Sequence, residues 1–271
     1  MLTVDKQTKT IEVTEIINEL KKHLTDSIDV ITLTANGEPT LYPHLDELID
    51  EIDKIKGSTQ TLILTNSATL TDERVFNAIL KLDQVKLSLD AVSDDIFKKI
   101  DRPHKSIDID DIVDKVVAFS KVYSGKLFIE ILFVYGLNDS DEEVQKLNDV
   151  LLKLNTSRID LGTIDRPPAY PIVGISYKEL HTIALKFDNT LPIHIASRVH
   201  AEANNSFYSD EEIINTLDKR PLTKDDIDLL FDEDTKERLS QLVMSDKIVK
   251  KLVGNLEFYT PKENVKRKLK K

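Results

Sequence analysis

Asn36-Gly37-Glu38-Pro39 closes a strand-like run, Asp29–Thr34, and it is the segment of this chain whose residue types come closest to a binding element. Gly37 lets the backbone bend where a side chain would clash, and Pro39 fixes the next φ while removing a donor. Glu38 is thereby held at a strand end, where a carboxylate is a good acceptor for an ammonium group. An ordinary strand-to-helix turn with a solvated glutamate gives the same three letters. Other polar residues end strand-like runs in the same way: Thr65-Asn66-Ser67, Ser88-Leu89-Asp90, Gly136-Leu137-Asn138-Asp139 and Asp165-Arg166-Pro167-Pro168. Glu130 stands inside an apolar run, where a carboxylate needs a partner or a function.

The elements that position these residues alternate along the chain. Short β-rich runs at 29–34, 61–65, 85–89, 127–134 and 159–163 are separated by amphipathic helical patterns, the first over Ile11–Leu24. A Ser140-x-x-Glu143 pair reads as a capping box opening one of these helices. Apolar strands with intervening helices predict a parallel α/β sheet with right-handed crossovers, as an open sheet or a barrel. In both architectures ligands gather at the carboxyl ends of the strands, which is where the polar turns lie.

Composition bounds the chemistry. The chain has 271 residues, 40% hydrophobic and 31% charged, with a formal net charge of -11, six histidines and no cysteine. Disulfides and thiolate metal sites are excluded, and the histidines show no ligand spacing. No apolar run is long enough for a membrane span and no signal peptide is visible, so the cytoplasm is the expected compartment. From Ser245 to Lys271 nine Lys/Arg face three Asp/Glu, a basic end on an acidic body that argues against broad nucleic-acid binding.

Taken together, Ile31–Leu41 with its Gly-Glu-Pro, Leu64-Thr65-Asn66, Val85–Ala91, Arg102-Pro103-His104, Gly136–Asp139 and Asp165–Pro168 resemble the radical SAM superfamily, specifically its bacterial iron–sulfur oxidoreductase branch related to wyosine-forming enzymes. The resemblance implies a partial TIM barrel over 1–172 and S-adenosylmethionine (SAM) as small-molecule cofactor. It assigns Asn36, Gly37, Glu38 and Pro39 to the methionyl amino group. Asn66, Ser88 and Asp90 go to the ribose or the methionyl carboxylate, and Glu130, Asn138 and Arg166 to cofactor or substrate. It also implies a [4Fe-4S] cluster held by a Cys-x3-Cys-x2-Cys loop that generates a 5′-deoxyadenosyl radical.

That loop, and the strand before it, have no counterpart among the ten mostly polar residues ahead of Ile11, and clusters rely on cysteine thiolates. The expected barrel is therefore incomplete, with its first strand missing and the strand near Asp29 at an open edge. The expected outcome is a chain that by itself makes no radical. The alternative is a cluster-free SAM- or nucleotide-binding regulatory or interaction protein. An aldolase-type barrel is disfavoured because no lysine stands at a strand end for a Schiff base.

Beyond the barrel, 173–205 reads as an extra βα element and connection. Three short helices and a hairpin about Gly254-Asn255 over 206–261 resemble a winged helix, and 262–271 is a basic tail. The helix offered for base reading mixes Lys236, Arg238 and Gln241 with Asp232, Glu233, Asp234 and Glu237, so a protein or RNA partner is expected ahead of DNA.

Overall fold

In the computed structural model, residues 10–35, 37–164, 172–195, 207–219, 221–253 and 256–262 are described. They form two compact units: Met1–Thr163 with Ser176–Ile195, and Ile164–Ile175 with Ala196–Lys271.

The first unit is a run of βα repeats. Its elements are α1 (Val13–His23), β1 (Val30–Leu33), a 3₁₀ turn (Pro39–Leu41), α2 (Leu45–Ile55), β2 (Gln60–Thr65), α3 (Glu73–Ile79), β3 (Gln84–Ser88), α4 (Asp94–Ile100), α5 (Ile109–Val122), β4 (Lys126–Phe133), α6 (Asp141–Leu151), β5 (Arg158–Thr163), α7 (Tyr177–Ala184) and β6 (Ile193–Ile195). All six strands are parallel and lie in chain order. Each crossover therefore steps the same way, and right-handed connections bring every helix to one face.

Burial records that asymmetry. Ile63, Val85, Leu87, Leu127, Ile129, Ile131, Phe133, Ile159 and Leu161 are at most 2% exposed and pack under the helices. The helices answer with Leu48, Ile49 and Ile52 on α2, Val116 and Phe119 on α5, and Val144, Leu147 and Leu151 on α6. The alternate strand positions form a second face with far more access: Phe128, Glu130 and Leu132 of β4 are all partly exposed. β1 and β6 are the edges of the sheet, and among the described residues β1 pairs with β2 alone.

The predicted strands fall within a residue or two of those observed. The first helix starts at Val13, leaving Ile11 48% exposed. Within 173–205, α7 and β6 extend the sheet, because the backbone of β6 hydrogen-bonds to the edge of β5.

The second unit holds α8 (Asp210–Lys219), β7 (Leu222–Thr223), α9 (Lys224–Leu230), α10 (Glu233–Met244), β8 (Ile248–Val253) and β9 (Leu256–Pro261). Its three antiparallel strands are ordered β7-β9-β8 over a core of Ile213, Leu217, Leu222, Ile227, Phe231, Leu239, Leu242 and Ile248. The two-residue β7 was not expected, since it exists only through its pairing with Phe258 and Tyr259. The Gly254-Asn255 turn and all of the basic tail after Lys262 lie outside the described residues.

One cap differs from its sequence reading. The Ser140 hydroxyl accepts from the Glu143 N–H at 3.2 Å, but the Glu143 side chain does not return to Ser140. It is 1% exposed and accepts from the Val92 N–H at 2.7 Å, the Ser93 N–H at 3.0 Å and the Ser93 hydroxyl. The carboxylate thus satisfies the start of α4 from α6, a long-range role that outcompetes the local one. Glu143→Ala strands these buried donors and is expected to lower unfolding free energy by roughly 3 kcal/mol in urea titrations. A loss below about 0.5 kcal/mol, the range of an ordinary surface change, contradicts this.

Candidate functional site

The rim at the carboxyl ends of β1 and β2 is organised by Glu38. Its Oε1 accepts from the Thr40 N–H at 3.1 Å, the Thr40 hydroxyl at 2.5 Å and the Thr65 hydroxyl at 2.7 Å. Its Oε2 accepts from the Asn66 N–H at 2.9 Å. Intrachain donors engage this carboxylate because the turns after β1 and β2 converge on it. What the Gly-Glu-Pro element presents outward is backbone. A side chain at Gly37 would meet nothing within 4 Å, so this stretch of rim is open. Pro39 starts the 3₁₀ turn, and Asn36 lies outside the described residues.

Asn66 is exposed beside Glu38, and its Oδ1 accepts from the Ala68 N–H at 3.1 Å. The next residue, Ser67, is fully buried at φ +67° and donates its hydroxyl to the Ser88 carbonyl at 2.8 Å, locking this turn to β3. Ser88 stands half-buried at the end of that strand.

Asp90 and Asn138 tie strand ends together. Asp90 Oδ1 accepts from the Leu132 N–H at 2.7 Å. Asn138 is 0% exposed; its amide nitrogen donates to the Asp90 carbonyl at 2.7 Å and the Leu132 carbonyl at 2.9 Å, and its Oδ1 accepts from the Val134 N–H at 2.8 Å. Both ends of the Asn138 amide are engaged by backbone. It holds the turn around Gly136, whose φ of +69° suits glycine. Burial pushes the Asp90 carboxyl up to about 8, and the charges of Asp101 and Glu130 add to the shift. Arg166 lies outside the described residues.

Glu130 does have the partner that its position demanded. On the open face the strand registers align Ser88, Glu130, Asp160 and His194 in one row across β3 to β6. Lys86, one pleat below, donates to Glu130 at 2.7 Å and lies 3.0 Å from Asp160. Arg158 forks onto Asp160 through Nε at 2.8 Å and a terminal nitrogen at 3.1 Å, and stacks 4.9 Å above the Phe128 ring. His194 Nδ1 is 3.1 Å from Asp160. Burial raises the Asp160 carboxyl, but hydrogen bonds and charge from Lys86 and Arg158 outweigh it and hold the group below the usual carboxylate range. Lys86, Arg158, Asp160 and His194 were absent from the predicted site. Their signal was a charged residue at alternate positions of apolar strands, but only register shows that they meet. Among the described residues no group of three or more His, Cys, Asp or Glu is arranged to hold a metal ion.

A six-stranded parallel sheet sheathed by helices on one face, with a polar open face, defines an α/β partial barrel. The chain belongs to the radical SAM superfamily, whose family model matches residues 3–147. A UPF0026 protein of Helicobacter pylori strain J99 is 36% identical over 260 residues, covering 94% of this chain and 84% of that protein. A UPF0026 protein of Methanocaldococcus jannaschii is 28% identical, covering 84% of this chain and 70% of its own length. Among solved structures, a radical SAM methyltransferase from Sphaerobacter thermophilus superposes with a TM-score of 0.57 at 15% identity, covering 69% of this chain and 58% of that one, and shares the fold. Membership implies SAM and a [4Fe-4S] cluster as the family's cofactors. Among the described residues no helix is long and apolar enough to cross a membrane.

Asp90 gives the site a pH signature. Its folded value near 8 exceeds the unfolded carboxylate value of about 4, so the native state binds the proton more tightly. Its contribution to stability is full below pH ~4 and is lost as pH rises through about 8. Asp90→Asn keeps an oxygen for the Leu132 N–H and should melt with wild type near pH 4 but above it at pH 8 or higher. Equal melting temperatures across that range count against the assignment.

Proposed function

We propose that this chain supplies the SAM- and substrate-facing wall of a radical SAM enzyme acting on a substrate not yet known. In this reading the 271 residues by themselves neither hold an iron–sulfur cluster nor begin radical chemistry. The observation that carries the reading is the Glu38 staple: four hydrogen bonds fix the Gly37-Glu38-Pro39 backbone at the carboxyl ends of β1 and β2 and leave the Gly37 side open. Exposed backbone at this rim suits the methionyl end of SAM, with Asn66 and Ser88 beside it and Glu130 toward the substrate. SAM, when bound, brings the sulfonium group on which the family's chemistry depends. The cluster does not fit these residues, since its ligands are thiolates and the sequence has no cysteine. No reaction step is therefore assigned to it.

A second reading is a cluster-free SAM- or nucleotide-binding regulator. The same lack of cysteine favours it, together with the order of the second unit: helix, short strand, two helices and hairpin, with β7 added to the sheet. That order is winged-helix-like. Lys247, Lys250, Lys251 and Lys262 on and beside the hairpin suit a protein or RNA partner. The cytoplasm is the proposed location of both.

Calorimetric titration with SAM and anaerobic iron–sulfide reconstitution test the reading. Binding heat without an iron–sulfur absorbance near ~400 nm is expected. A cluster spectrum from this chain would overturn the cluster-free half of the proposal, and no binding heat from folded protein would overturn the SAM half. Gly37→Val should leave the melting temperature unchanged, because its side chain enters open space, and weaken SAM binding by about tenfold or more, equivalent to about 1.4 kcal/mol.

A further inference from the structure

His194, Asp160, Arg158 and Lys86 form a charged array on the open face that the rim reading does not use, joined through Lys86 to Glu130, which it does. Asp160 is its centre, with a side chain 6% exposed and contacts to three basic residues. Lys86 and Arg158 keep it ionised, so it can only accept hydrogen bonds. The ring nitrogen of His194 facing it at 3.1 Å is Nδ1 and must carry the proton. Neutral imidazole has one N–H, which leaves the lone pair on Nε2. No described residue engages Nε2, and the ring is 54% exposed on the accessible side of the sheet.

We propose that His194 is a proton-transfer residue of this face, with Asp160 as its positioning residue. The chemical class of substrate is one with a transferable proton on a hydroxyl or amine placed against the open face. The proton passes to Nε2 and its bonding pair stays on the substrate oxygen or nitrogen. The imidazolium that results lies against the Asp160 carboxylate, which balances its charge. Arg158 and Lys86, both bound to Asp160, prevent it from taking the proton itself, and Glu130 adds negative charge to the same row. The bland reading, that His194 only helps to satisfy Asp160, is weakened by the other contacts: Lys86 and the two-nitrogen Arg158 fork already serve both carboxylate oxygens.

The inference rests on the proposed reading in one respect, that the open face is the substrate side. Nitrogen-15 spectra of the full chain, with His194→Gln to assign the ring, report the tautomer directly and need neither SAM nor iron. The proton is expected on Nδ1 of His194 in wild type, and a proton on Nε2 overturns the proposal. Diethyl pyrocarbonate, followed by peptide mass spectrometry, then probes the Nε2 lone pair. Modification of His194 should slow about tenfold in Asp160→Asn, the factor corresponding to about 1.4 kcal/mol of lost tautomer preference. Equal rates in the two proteins overturn the positioning role. Should Asp160→Asn fail to fold, Asp160→Glu, which retains the carboxylate, must preserve the wild-type tautomer, and its reversal overturns the role equally. SAM titration of wild type is independent of these readouts, so failure of the rim reading is told apart from failure of this one.

Discussion

Every feature of the first unit follows from a one-way strand order. With β1 to β6 laid down in sequence and all crossovers of one hand, the helices of this unit crowd a single face and, among the described residues of the unit, leave the other without helices. The sheathed face takes the hydrophobic burial that holds the unit together, while the open face is free to carry charge. A doubly wound sheet would have enclosed both faces in helices, leaving no accessible row from Ser88 to His194.

Charge on that face is kept within physical limits by pairing. Asp160 is nearly buried, and an isolated ionised carboxylate there would be costly; Lys86 and Arg158 offset the penalty and hold it charged. Asp90 shows the opposite outcome with the same side chain. It has one backbone donor on its carboxylate and negative neighbours, so the proton is retained toward pH 8. Glu38 is a third case, in which neutral hydroxyl and amide donors crowd a carboxylate and convert it into a splice between two strand ends.

Much of the fold could be read from residue order. Strand positions and the parallel arrangement follow from periodicity, which neighbours in sequence control. Glu130 was recognisable as needing a partner because a carboxylate in an apolar strand has few alternatives. Its partner was not recognisable, since Lys86 lies 44 residues away and meets it only through register. Glu143 misled because its capping-box context reads as local, whereas its carboxylate is spent on distant backbone, as the Asn138 amide also is.

The sequence by itself determined the family, the alternation of strands and helices, the Gly37-Glu38-Pro39 turn and the lack of thiolate ligands, because these depend on residue types and short spacings. Tertiary structure alone decided which carboxylates are open and which are used up, that β6 extends the sheet, that β7 forms at all, and that Asp160 and His194 face each other across adjacent strands. The physical reason is that hydrogen-bond partners and desolvation are set by three-dimensional neighbours, and a strand register brings together residues that no local pattern connects.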